Sequence, residues 1–304
     1  MSETTPTDFE DCRGVLRVYK DGTIWRSSQP SFNVPITPNA AVEWKDSVFD
    51  PTNNLQLRLY KPTSLPTTAA TTKLPIFYYL ATELQAVVIA PDYRLAPEDR
   101  LPAAIEDGYT ALKWLQGQAL AEEPDTWLTD VADFGNVFIS GDSAGGNIAH
   151  NLAVRVGAGS VELGPVVVKG YVLLAPFFGG TVLCESEANG PVDAFLNLEL
   201  IDRFWRLSVP VGDTTDHPLI NPFGPSSKDL EPVALDPVLV VVGGSDLLKD
   251  RAKVYAEKLT EMGKKIEYVE FEGQQHGFFT IDPEAEPAKK LMGVIKRFIA
   301  ENSS

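Results

Sequence analysis

Cysteine is nearly absent: Cys12 and Cys184 are the only two in 304 residues. Two thiols make no disulfide framework, so a reducing compartment, and with it a cytoplasmic location, is the expectation. Positive charge is scarce as well. Lys and Arg total 26 against 42 Asp and Glu, for a net charge of −16. Nucleic acid and anionic membrane both require a basic face, so neither is expected as a partner. No uninterrupted apolar run approaches the ~18 residues of a spanning helix. The first thirty residues show no apolar segment behind a basic start, so no signal peptide is expected. Histidine is limited to His150, His217 and His276, which narrows the search for a general base. What is present is 44% apolar residues, enough for a substantial core.

Taken in order, Met1 to Arg13 read as a loose polar arm. Two apolar stretches between Val15 and Trp25 flank Asp21-Gly22, a hairpin signal because glycine accepts positive φ without steric cost. Val42–Phe49, Leu55–Tyr60, Leu74–Leu80 and Gln85–Ala90 read as strands. Lys169–Ala175, Pro237–Val242 and Ile266–Phe271 read likewise. Helical spacing of apolar residues marks Ala103–Ala119, Asp250–Met262 and Pro287–Ala300. Phe177 to Glu231 is irregular around one helix and reads as an inserted cap. Strands alternating with helices imply an α/β fold with a mostly parallel sheet covered on both faces.

The most informative stretch is Val137 to Asn147, VFISGDSAGGN. An apolar strand turns sharply through Gly141-Asp142-Ser143-Ala144-Gly145 and continues as a helix. This is the G-x-S-x-G nucleophile elbow in its strand–turn–helix context. A larger side chain at either glycine is expected to crowd the turn. A phosphate-binding loop is the competing reading, but G-K-[ST] is missing and the spacing is not G-x-G-x-x-G.

A serine hydroxyl needs a base within hydrogen-bond reach, and that base needs an orienting acid. His276 lies in a loop directly after the last strand. His150 is carried away from Ser143 inside the elbow helix and reads as a packing residue. His217, in Asp216-His217-Pro218, reads as a loop histidine bonded to backbone. His276 is therefore the candidate base. Asp246 follows a buried strand in Val242-Gly243-Gly244-Ser245-Asp246 and is the candidate acid, favoured over Asp250, which suits a helix N-cap. Asp142 is expected to point away from the histidine, in a supporting role. No cofactor or metal is called for.

GDSAGGNIAHNLAVR, PDYRLAPEDRLPAAIEDGY, GYVLLAPFFGG, DHPLINPFGP, GGSDLLKDRAKVYAEKL and EYVEFEGQQHGFF resemble the plant carboxylesterases. These are hormone-sensitive-lipase-like α/β-hydrolases, related to the gibberellin receptors. The resemblance runs from about Gly14 to the C-terminus. It implies a single α/β-hydrolase domain over 1–304 with an eight-stranded sheet. Cap elements fall at about 1–25 and 177–231. It implies a serine carboxylesterase hydrolysing small carboxylic esters through an acyl-enzyme, with Ser143 nucleophile, Asp246 acid and His276 base. The N–H of Ala144 becomes an oxyanion donor. The alternative is a non-catalytic small-ligand binder of the receptor kind.

One departure is large. The family carries a His-Gly-Gly-Gly oxyanion loop and a crossover helix after the strand matching Leu74–Leu80. Here FYYL runs directly into ATELQAVVIAPDYRLAPE, without that loop and without most of that helix. A parallel crossover takes about a dozen residues. Leu74–Leu80 is therefore expected to lie antiparallel, shift outward or leave the sheet. A bared sheet face is also expected, costing on the order of 10 kcal/mol if about five apolar side chains lose ~2 kcal/mol each. Impaired turnover follows, because each lost oxyanion donor costs roughly 10²–10³ in rate.

Overall fold

In the computed structural model, residues 9–28, 42–63, 73–78, 84, 86–159, 161–191 and 194–303 are described. The first strands, β1 (Phe9–Cys12), β2 (Leu16–Tyr19) and β3 (Ile24–Arg26), form a small antiparallel sheet. The β2–β3 hairpin is the one expected around Asp21-Gly22, and Gly22 takes φ +87°. β1 corrects the loose-arm expectation over Phe9–Cys12, while residues 1–8 lie outside the described residues. Phe9 stands opposite Tyr19, their ring centroids 5.3 Å apart, so a cross-strand aromatic pair orders the segment.

The main sheet holds β4 (Val42–Asp50), β5 (Leu55–Pro62), β6 (Leu74–Tyr78), β7 (Val87–Pro91), β8 (Ala132–Asp142), β9 (Val168–Leu174), β10 (Val238–Gly243) and β11 (Ile266–Phe271). Their order is β11-β10-β9-β8-β6-β7-β5-β4, eight strands as expected. β4–β5 and β5–β7 pair antiparallel; every other pairing in the sheet is parallel.

Period-two alternation splits the strand residues between two layers. Leu57, Leu59, Val87, Ile89, Val137, Ile139, Leu173 and Val240 face one side. There they meet α1 (Ala103–Leu120), α3 (Ala144–Gly157) and α6 (Lys249–Glu261). The short α2 (Thr126–Thr129) precedes β8. Val88, Phe138, Val172, Leu174, Leu239 and Val241 face the other side. Two short helices, α4 (Glu185–Ala188) and α7 (Phe278–Ile281), accompany the longer α5 (Leu198–Ser208) and α8 (Glu286–Asn302). α8 covers the second face through Leu291, Ile295, Phe298 and Ile299, one stripe at helical spacing. A third apolar cluster joins Cys12 and Leu16 to Phe177, Leu200, Ile201 and Trp205, so the N-terminal sheet and α5 share a roof.

The structure overturns the exclusion placed on Leu74–Leu80. β6 lies between β8 and β7 and runs parallel to both. The dozen-residue minimum assumes a return along a whole strand. Here only Ile76 and Phe77 register with Val87 and Val88. The return along the sheet axis is thus ~7 Å at ~3.3 Å per residue, and residues 79–86 separate the strands. The bared face is not found at the described residues either. Val88, Phe138, Val172 and Leu174 are all buried, and Leu84 and Ala86 pack into the same cluster. The path of 79–83 and 85, where the crossover was in question, lies outside the described residues.

Candidate active site

β8 ends at Asp142 and α3 begins at Ala144, leaving Ser143 alone at the turn with φ +55°, ψ −111°. A non-glycine residue held at positive φ is strained, and the surroundings must enforce it. They do so with backbone. The Ser143 N–H donates to the Leu174 carbonyl, and the Phe177 and Asn147 N–H groups donate to the Ser143 carbonyl. A Cβ on Gly141 would stand 2.0 Å from the Gly145 carbonyl oxygen, so only glycine fits there. The matching expectation for Gly145 fails, because a Cβ there meets nothing within 4 Å. The second crowded position is Gly146, whose Cβ would fall 2.9 Å from Pro176 Cα.

Asp246 and His276 arrive on loops after β10 and β11. Those loops touch through backbone. The Ser245 N–H donates to the Gln274 carbonyl at 2.9 Å, and a Cβ on Gly243 would lie 2.3 Å from that same oxygen. Gly243 is thus a site residue that the sequence reading passed over. Its signal was the Gly-Gly pair directly after a buried strand. His276 Nδ1 lies 2.7 Å from Asp246 Oδ2, and His276 Nε2 lies 3.0 Å from Ser143 Oγ. A carboxylate only accepts, so the Nδ1–H donates to Asp246 and Nε2 is free to accept from the serine hydroxyl. The other Asp246 oxygen accepts the Leu248 N–H at 2.9 Å. The Asp246 side chain is fully buried and that of His276 nearly so.

Burial is the largest single influence on His276 and opposes its charged form. The hydrogen bond that His276 donates to Asp246, the charge of Asp246 and that of Asp142 together outweigh it, and the pKa is raised. Such a site can take the serine proton, hold it on an imidazolium stabilised by carboxylates, and release it again. Ala144, the first residue of α3, contributes one of the helix N-terminal N–H groups that no intrahelical carbonyl reaches. It carries the positive end of the helix dipole.

The other candidates go elsewhere. His150 is buried, with Nδ1 2.9 Å from the Tyr255 hydroxyl and its ring edge-on to Phe178. Burial pushes its pKa down to about 3, so it stays neutral. His217 Nδ1 accepts the Leu219 N–H at 3.2 Å, a loop contact as expected. Asp250 is not an N-cap. That place falls to Leu248, and Asp250 sits in the first turn of α6, accepting the Ser186 N–H at 2.7 Å. Asp142 lines the cavity next to Ser143, and its charge is one of the influences that raise the pKa of His276.

Ser143 and His276 open onto a cavity of about 480 Å³. Its wall is largely apolar, including Leu16, Leu95, Phe177, Leu200, Phe204 and Trp205. Composition alone did not show that Tyr93, Arg94 and Leu95 belong to this wall. Arg94 is fixed there by Asp107, a buried carboxylate on α1 that accepts from its Nη2 at 2.7 Å. Among the described residues no cluster of His, Cys, Asp and Glu could hold a metal ion. Nor is any helix among them long and apolar enough to cross a membrane.

Comparisons with known proteins agree with the fold. The alpha/beta hydrolase fold family matches residues 67–280. A 2-hydroxyisoflavanone dehydratase of Glycyrrhiza echinata is 35% identical, the match covering 98% of each chain. A 3-O-acetylpapaveroxine carboxylesterase of Papaver somniferum is 34% identical over 88% of this chain and 93% of its own. Among solved structures, an esterase of Pyrobaculum calidifontis superposes with a TM-score of 0.68 at 26% identity, covering 86% of each chain.

Proposed function

Because this chain belongs to the α/β-hydrolase family, we propose that it is a serine carboxylesterase acting on small, largely apolar carboxylic esters. The carrying observation is the relay from Ser143 Oγ through His276 to buried Asp246 at the cavity floor. In this reading His276 Nε2 takes the hydroxyl proton as Ser143 attacks the ester carbonyl. Asp246 holds the imidazolium. The developing oxyanion faces the Ala144 N–H at the start of α3. His276 then returns the proton to the leaving alcohol, and water releases the acyl group by the same route.

Turnover is lower than in relatives that carry the glycine loop, since the sequence lacks His-Gly-Gly-Gly and each missing donor costs roughly 10²–10³. The non-catalytic alternative has less support, because a binder has no use for a histidine held between a serine and a buried carboxylate. One domain, residues 1–304, carries the activity, roofed by about 1–25 and 177–231. The shared apolar cluster of Leu16, Leu200 and Trp205 supports that division.

The test is hydrolysis of 4-nitrophenyl butanoate by purified protein and by Ser143→Ala. The substitution is expected to lower kcat at least ~100-fold. Equal turnover by the two proteins ends the esterase proposal. A wild-type kcat matching that of the poppy carboxylesterase on one shared ester ends the reduced-turnover part alone.

A further inference from the structure

The cavity wall is largely apolar, and a carboxylate stands in it directly beside the nucleophile. Asp142 lines it next to Ser143, and its Oδ1 is buried without a hydrogen-bond partner among the described residues. A buried polar atom left unpaired costs roughly 1–3 kcal/mol, more when charged, so a fold keeps one only where something else compensates. The carboxylates around it contrast sharply. Asp246 is bonded to His276 and to the Leu248 N–H, and Asp107 to Arg94. Asp142 alone of these three keeps an acceptor idle.

We propose that Asp142 is the polar anchor of the cavity: its Oδ1 is closed off, and its Oδ2, unbonded among the described residues and not closed off, accepts a hydrogen bond from a hydroxyl group on the substrate. The preferred ligands are thereby esters with an apolar body and a hydroxyl placed to reach the floor. The inference rests on the esterase reading only in taking this cavity for the ester site.

A neutral donor fits better than a cationic one. Arg13, Arg26 and Arg94 all stand in the same wall. The Arg13 guanidinium lies over the Phe195 ring at 4.8 Å with one nitrogen on the Ala194 carbonyl. Arg26 and Arg94 are held by Glu98 and Asp107. An ammonium group entering past three guanidinium groups is repelled, whereas a hydroxyl is not. Two ionisable neighbours act on Asp142, His276 and Asp246. Burial chiefly, and Asp246 besides, raise its pKa, while His276 lowers it; the outcome is about 6, so the group is mostly a carboxylate at neutral pH.

The experiment uses the full chain carrying Ser143→Ala, in which esters stay intact. Affinity is then read by calorimetry whether or not the wild type turns esters over. Methyl 3-phenylpropanoate and phenethyl acetate are compared with their meta- and para-hydroxy counterparts, placing the hydroxyl on the acyl or the alcohol side. At least one hydroxylated member is expected to bind roughly 10-fold tighter than its parent. Adding Asp142→Ala should remove that ratio, and adding Asp142→Asn, which keeps an amide oxygen, should retain part of it. Ratios are taken within each protein, so a general loss of affinity cancels. The proposal is overturned if no hydroxylated member binds tighter than its parent, or if the preference survives Asp142→Ala undiminished. A preserved preference in a chain that hydrolyses no ester would remove the esterase reading and leave the anchor standing.

Discussion

Arg251 and Glu187 meet through two parallel hydrogen bonds, Nε to Oε1 at 2.5 Å and Nη2 to Oε2 at 2.6 Å. Arg251 belongs to α6, packed against the sheet, and Glu187 to α4 in the inserted segment, so the pair pins roof to sheet. The Glu187 side chain is 2% exposed and that of Arg251 13%. Arg251 also donates to the carbonyls of Gly179, Gly180 and Val182, gathering the start of the insertion around one guanidinium.

Removing one partner strands the other. Arg251→Met is expected to cost ~3–5 kcal/mol, because Glu187 keeps a buried charge without its counter-ion. The double change Arg251→Met with Glu187→Leu should cost less than the single one. Urea denaturation of both proteins checks this, and a double variant less stable than the single contradicts it.

The pH behaviour follows from two raised pKa values. His276 must be neutral to accept a proton, so activity is expected to fall on acidification around a midpoint above the ordinary histidine value of ~6.5. Asp142→Asn removes a charge that supports the imidazolium and should move the midpoint down. Stability adds a second sign. A raised carboxyl pKa favours the folded state while the group is protonated. The Asp142 contribution is therefore present below its unfolded pKa of ~3.9 and lost as pH rises through about 6. Asp142→Asn should flatten that part of the melting temperature against pH. A kcat/KM profile that Asp142→Asn leaves in place would show the charge to be too distant to matter.

The two glycines flanking Asp142-Ser143-Ala144 should behave differently. Gly141→Ala drives a methyl group into the Gly145 carbonyl, and a soluble, cooperatively folding protein is not expected. Gly145→Ala meets open space in the first turn of α3 and should change stability by less than ~1 kcal/mol, alanine being the better helix former. Thermal melts of the two variants distinguish the positions. Equal destabilisation would mean that the elbow tolerates neither.

The sheet and its helices were legible because period-two and helical spacing are local signals. The elbow was legible because its glycines, strand and helix are contiguous. His276 followed by elimination among three histidines. What escaped was non-local. That Phe9 would find Tyr19, or that Gly243 would press against the Gln274 carbonyl, depends on how distant segments dock. The error over Leu74–Leu80 had another source. The minimum length of a parallel crossover was applied to whole strands, whereas the overlap between β6 and β7 is confined to Ile76 and Phe77 against Val87 and Val88.

The apolar cluster in which Leu16 meets Leu200 and Trp205 has an evolutionary consequence. Ser143, Asp246 and His276 hang from strand ends fixed by the sheet's own packing. The surface opposite them is assembled from the first strands and α5, which are remote in the chain, and their cluster also takes in Leu247 and Leu248, directly after Asp246. A substitution in the roof is therefore felt by the loop that carries the acid, so what the cavity admits and what the relay does to it are not free to drift apart.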